Sequence, residues 1–245
     1  MTETRIEEIN DSIYRLSTFV PDVGPTGFTF NQFLIDDDEP LLFHTGPRAM
    51  FPSVAEAIAT IVPLEQLRWI TFGHLESDEC GAMNRFLSAA PHAQVAHGAM
   101  GCMVSLNDLA DRSPVPLEND QTFEIGRHRL QHIDTPHVPH GWDARVLYDQ
   151  TTRTLFCGDL MTQLGDGPAV MTGTEIIEDA GQAEDTFRAT CLTPLTASTI
   201  RRLAELAPTT LAVMHGSSFS GDGAFVLRSL ADDYASRLSN SGLTA

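Results

Sequence analysis

His74-Leu75-Glu76-Ser77-Asp78-Glu79 places one imidazole and three carboxylates within six residues, directly after the apolar run Leu67-Arg68-Trp69-Ile70-Thr71-Phe72-Gly73. The run reads as a buried strand closed by a glycine. Beyond the hexapeptide, Met83, Phe86, Leu87 and Ala90 recur at helical spacing, so the acidic residues fall between a strand end and a helix start. A solvated helix start explains Asp78 and Glu79, because carboxylates there complement the helix dipole. It does not explain His74 and Glu76. Divalent metal binding explains all four, provided that distant residues complete the shell.

Three other places set a metal-binding side chain just after an apolar strand: His137 and His140 in Thr135–Trp142, Asp159 after Leu155-Phe156-Cys157-Gly158, and His215 after Leu211-Ala212-Val213-Met214. Loops at one edge of a sheet can converge on a point while the sheet holds them still. The five His44, His92, His97, His128 and His132 are read as surface or satisfied structural residues, and Cys157 as a small buried apolar residue. Trp142 either walls a pocket or fills core.

The elements before and after follow the same grammar. Hairpins are expected over residues 5–19, turning at Asn10-Asp11, and over 28–44, turning at 36–39. Helices are expected over about 51–61, 100–106, 182–190, 196–207 and 222–238, and strands at 94–97, 122–125, 128–134, 144–148, 154–157 and 210–214. Strand pairs followed by helices, given twice, suggest two sheet layers with helices outside them.

Bulk properties narrow the partners. The chain of 245 residues, 42% hydrophobic, has no linker-like break, and is read as a single domain over 1–245. With 15 basic against 33 acidic residues, the net charge of −18 excludes nucleic acid and anionic membrane as partners. The polar N-terminus has no apolar segment behind it, and no apolar stretch approaches the roughly 20 residues of a membrane span. Four scattered cysteines without a C-x-x-C give neither a disulfide framework nor a thiolate site, as expected of a cytoplasmic protein. No G-x-S-x-G elbow, G-x-G-x-x-G or P-loop is present.

The ordered set H-x-E-x-D, His, Asp after an apolar strand, and His resembles the metallo-β-lactamase fold superfamily, and Glu76 at the third motif position resembles its flavodiiron and oxygen-binding diiron branch. The resemblance implies an α/β, four-layer αββα sandwich. It makes His74, Glu76 and His140 ligands of one metal, Asp78 and His215 ligands of a second, and Asp159 the bridging carboxylate. His140 is preferred to His137, left as a pocket residue, because its 19-residue separation from Asp159 suits the intervening hairpin and the family spacing. Where the family usually has a second-metal His, this chain has Glu79, which either takes that place or leaves the second site weaker or empty. Four carboxylates with imidazoles suit two iron ions, with manganese or zinc as alternatives.

The function implied is binding or reduction of dioxygen, or nitric oxide, with electrons from a partner protein. Only 30 residues follow His215, too few for the flavin domain of flavodiiron relatives. Head-to-tail pairing in such relatives brings a donor to the metals, which allows a homodimer here but gives less reason for one. The alternative is a hydrolase of an ester, phosphoester or lactone acting through a metal-bridging hydroxide; hydrolytic members usually carry His where this chain has Glu76.

Overall fold

In the computed structural model, which describes residues 3–242, fourteen strands form two seven-stranded sheets. The first runs in sequence order: β1 (Thr4–Asn10), β2 (Ile13–Val20), β3 (Phe28–Ile35), β4 (Leu41–Phe43), β5 (Trp69–Thr71), β6 (Gln94–Gly98) and β7 (Val115–Leu117). The second comprises β8 (Thr122–Glu124), β9 (Arg129–Asp134), β10 (Arg145–Asp149), β11 (Thr154–Phe156), β12 (Val170–Met171), β13 (Thr210–Ala212) and β14 (Ser218–Ser220), in the spatial order β12-β14-β13-β11-β10-β9-β8. The hairpins begin each sheet antiparallel; β4, β5, β6 and β7 then pair in parallel, as do β11 and β13.

Helices cover the outer faces. α1 (Phe51–Ala59), α2 (Ser77–Cys80), α3 (Met83–Ala89), α4 (Ala99–Gly101) and α5 (Asn107–Leu109) belong to the first half, and α6 (Glu175–Phe187), α7 (Thr196–Glu205) and α8 (Gly223–Asn240) to the second. Three buried apolar clusters define the layers. Val54, Ile58, Met83 and Phe86 from helices pack on Leu16, Leu34, Leu42 and Ile70; Phe33, Phe43, Leu147 and Phe156 meet between the sheets; Ile176, Ile200, Leu203 and Leu227 pack on Leu155 and Leu211. Each such side chain contributes roughly 1.5–3 kcal/mol on burial. The arrangement is an αββα sandwich, as the resemblance implied.

Several elements differ from expectation. The helix expected over 100–106 is broken, with a π turn at Cys102–Leu106 between two short helices. The helix expected at 182–190 starts at Glu175 and ends at Phe187, where Arg188 turns left-handed. The strands β7, β12 and β14 carry no alternation to find: they are two or three residues long, and β7 contains Pro116.

The site lies where strands end together. β11 and β13 pair in parallel with Phe156 beside Ala212, so Asp159 and His215, each three residues further on, leave the sheet side by side. Cys157 N donates to Ala212 O and Met214 N to Gly158 O, which extends the pairing into the loops. The first sheet delivers His74 in the same way, three residues past Thr71 at the end of β5.

Candidate metal centre

His74, Glu76, His140 and Asp159 each offer a ligand atom, and the four atoms lie within 4.8 Å of one another. His74 Nε2 is 2.8 Å from Glu76 Oε2, and His140 Nε2 is 3.3 Å from Glu76 Oε2 and 3.2 Å from Asp159 Oδ2. His215 Nε2 approaches the other side of Asp159, 3.3 Å from Oδ1 and 3.4 Å from Asp78 Oδ2. One carboxylate, Asp159, is therefore divided between two lobes, with His74, Glu76 and His140 on one side and Asp78 with His215 on the other.

The lobes differ in support. The His215 ring is fixed by Nδ1, 2.7 Å from the Thr29 carbonyl, which sets the tautomer and turns Nε2 toward Asp159. Gly216 N donates to Thr29 Oγ1, while Asn31 Nδ2 and Arg15 Nη2 both donate to Gly216 O, so β2 and β3 brace the His215 loop. Phe28 stacks on the His215 ring at 4.2 Å. None of these braces carries a metal-ligand signature in the sequence.

Glu79, expected either to take a second-metal place or to leave that site weaker or empty, lies on the Nδ1 side of His74, away from Glu76. It is fully buried, with Oε1 3.0 Å from His74 Nδ1 and Oε2 accepting from His74 N at 2.6 Å. It stands behind His74 and orients the ring, as carboxylates do in carboxylate–histidine–metal arrangements. The reason is helical rotation: Asp78 and Glu79 are successive residues of α2, about 100° apart around its axis, so the two carboxylates leave it in different directions. Gly73 makes room, since a Cβ there would stand 2.9 Å from Glu79 Oε1.

Other expectations are redistributed. His137 is exposed, at φ +65°, and does not line the cavity in front of the centre. Trp142, 43% exposed, fills neither core nor pocket. His92 is exposed, and His128 is buried and paired with Asp149 at 2.7 Å. His97 and His132 flank a fully buried Arg145: Arg145 Nε donates to His97 Nδ1, and Nη1 lies 2.6 Å from His132 Nδ1. His97 in turn meets Asp143, whose Oδ2 accepts from Leu75 N at 3.0 Å, inside the hexapeptide. His44 is buried 3.5 Å from Glu79 Oε2, and among the described residues neither ring nitrogen has a well-aligned hydrogen bond. Cys157 is buried and its thiol is pushed up by that burial.

The electrostatics are those of a cation acceptor. Burial opposes charge on His74, yet Glu79 and Glu76 outweigh it and hold the imidazole up to about 11. Burial likewise opposes charge on His215, where Asp159 and Asp78 prevail and raise it to about 10. His140 is raised by its hydrogen bond to Glu76, which is held well below the usual carboxylate range by His140 and His74. Burial would raise Asp159, but the three histidines depress it to about 2. Asp159 Oδ1 is buried without an aligned hydrogen bond even though His215 lies close, which leaves a lone pair for a cation. Two imidazoles and two carboxylates with no cysteine among them are donors that suit a hard or borderline divalent ion.

A cavity of about 350 Å³ opens onto Glu76, Asp78, His140, Asp159 and His215. Its outer wall comes from α6 and α8, with Phe28 and Phe30 from β3. Among the described residues, no helix is long and apolar enough to cross a membrane.

Comparison with known proteins gives the same fold and the same lineage. A family model described as ODP family beta lactamase matches residues 28–216. The rubredoxin-oxygen oxidoreductase of Megalodesulfovibrio gigas is 22% identical over 143 residues, 58% of this chain and 35% of that protein. The solved rubredoxin oxygen:oxidoreductase of Desulfovibrio gigas superposes with a TM-score of 0.82 at 16% identity, covering 94% of this chain and 62% of that one. The metal-soaked Flv1 flavodiiron core of Synechocystis superposes with a TM-score of 0.81 at 22% identity, covering 100% of this chain and 63% of that one. The chain spans between 23% and 35% of the length of the curated relatives it matches.

Proposed function

The chain belongs to the ODP family of beta lactamases, and on that footing we propose that it holds a diiron centre that binds or reduces dioxygen, with nitric oxide as a related ligand and electrons from a separate donor protein. The observation that carries this reading is the division of Asp159, with Oδ2 3.2 Å from His140 Nε2 and Oδ1 3.3 Å from His215 Nε2. A carboxylate so placed can bridge two ions. His74, Glu76 and His140 would hold one, and Asp78 and His215 the other. When bound, two iron ions would supply a site for a diatomic ligand and relay to it the electrons of the donor protein.

The chain's own groups have separable tasks. Glu79 and the Thr29 carbonyl fix the tautomers of His74 and His215, so each ring presents one nitrogen and none need reorient on binding. Glu76, half exposed, is the ligand best placed to move as a small molecule enters from the cavity. Phe28 and Phe30 give that cavity an apolar wall beside His215 that limits water at the centre.

The test is to reduce the iron-bearing protein without air and then admit air, following absorbance and oxygen uptake. A spectral change with uptake is expected. Neither change nor uptake, with zinc in the native protein and turnover of an ester, phosphoester or lactone, would replace the reading with metal-assisted hydrolysis.

A further inference from the structure

A diatomic ligand occupies about the volume of a water molecule, roughly 30 Å³. The cavity over the centre is about 350 Å³, some ten times more, and within the range of sites that enclose an organic molecule. Its composition says which kind. Phe28, Phe187 and Tyr234 give it aromatic surface, with Phe28 and Phe187 in edge contact at 5.4 Å, and no Lys or Arg lines it. The carboxylates at its floor, Glu76, Asp78 and Asp159, face the metal centre and are offset once cations are bound.

One further carboxylate is not offset in this way. Glu184 on α6 lines the cavity and is only 9% exposed. Oε2 accepts from Thr190 Oγ1 at 2.8 Å and from Thr190 N at 3.3 Å, while Oε1 makes no hydrogen bond among the described residues. Glu184 also borders the adjoining cleft that Arg188 and Arg237 line, but Arg237 is committed to Asp233 at 2.6 Å and Asp185 at 2.5 Å. A buried carboxylate in an aromatic wall with no ion-pair partner among the described residues fits a ligand that brings the cation.

We propose that this cavity binds an organic ammonium compound with an aromatic or aliphatic body, its ammonium held by Glu184 and its body against Phe28, Phe187 and Tyr234. The proposal rests on the reading of the cavity as the mouth of the metal centre. It gives the site a selectivity that a diatomic ligand does not require: cations enter, neutral molecules of the same shape bind more weakly, and anions are rejected at the Glu184 end.

The experiment is calorimetric titration of the metal-bearing protein, with air excluded, using 2-phenylethylamine, 2-phenylethanol, 3-phenylpropanoate and flavin mononucleotide as probes. The amine is expected to bind roughly tenfold more tightly than the alcohol, the effect of one charge-assisted hydrogen bond, and the two anions more weakly than the alcohol. Glu184→Gln should bring the amine to the level of the alcohol and leave the alcohol where it was. Should that variant fail to fold, Phe187→Ala, at a 41% exposed position, should weaken amine and alcohol alike. The proposal is overturned if an anion binds as tightly as the amine, if the preference survives in Glu184→Gln, if Phe187→Ala changes nothing, or if no probe binds. Because heat of binding is read without oxygen, these outcomes leave the iron count and oxygen uptake standing, and failure of those leaves the amine titration readable.

Discussion

Glu79 Oε1 lies 3.0 Å from His74 Nδ1, while Glu76 Oε2 lies 2.8 Å from Nε2 of the same ring. The imidazole is held between a buried carboxylate behind it and a half-exposed one in front. On the proposed reading, the first is a support and the second a ligand.

Replacing Glu79 with Gln should therefore weaken metal binding by roughly 10- to 100-fold, the usual effect of losing an orienting partner, without removing a donor atom. Competition with a chelator reads this directly. Gly73→Ala should act in the same direction, because its new Cβ would stand 2.9 Å from Glu79 Oε1. Unaltered affinity in both would show that Glu79 does not orient His74.

Asp159→Asn and Asp78→Asn should differ in kind. The first removes the charge shared by both lobes and is expected to deplete both ions; the second strips only the lobe completed by His215. Metal analysis of the two purified variants distinguishes them, and equal loss in both would refute the bridging role of Asp159.

The metal-free protein should lose stability as pH rises. His74 at about 11 and His215 at about 10 stand above the ordinary 6.5, so their contribution is full below about 6.5 and is lost as pH climbs through about 10 to 11. Asp159 and Glu76, both depressed, contribute above the usual carboxylate range and lose that contribution in acid. Ion binding near neutrality must expel protons from the histidines. Thermal melts of chelated protein across this alkaline range, with proton release measured when ferrous ion is added, check both statements; a flat profile with no release would contradict them.

Arg145→Ala should destabilise the fold by roughly 3 kcal/mol or more, as expected when one member of a buried charged network is deleted. It would strip partners from His97, His132 and the Ala96 carbonyl together. Through His97 and Asp143 the damage should reach Leu75 N, so metal affinity should fall with the denaturation midpoint.

Much of the cluster could be read from the sequence because its members follow strand ends, where an apolar run stops and a lone His or Asp stands out. His74, Asp159 and His215 are of this kind, and His140, preferred to His137 on the family spacing, lies 3.2 Å from Asp159 while His137 is exposed. The direction of Glu79 was not legible, because adjacency in sequence hides direction around a helix and only the backbone of α2 turns it behind His74. The buried tie between His97, Arg145 and His132 joins β6, β9 and β10, and its residues look like ordinary surface charges along each strand. Glu184 and Phe187 come to the cavity from α6, far along the chain, with no local pattern that marks them.

The measurement closest to the central claim is the metal content of the protein as isolated from its native source. About two iron ions per chain are expected from a nitrogen and carboxylate donor set divided by one bridging carboxylate. A single ion per chain, or zinc without iron, would contradict a diiron centre.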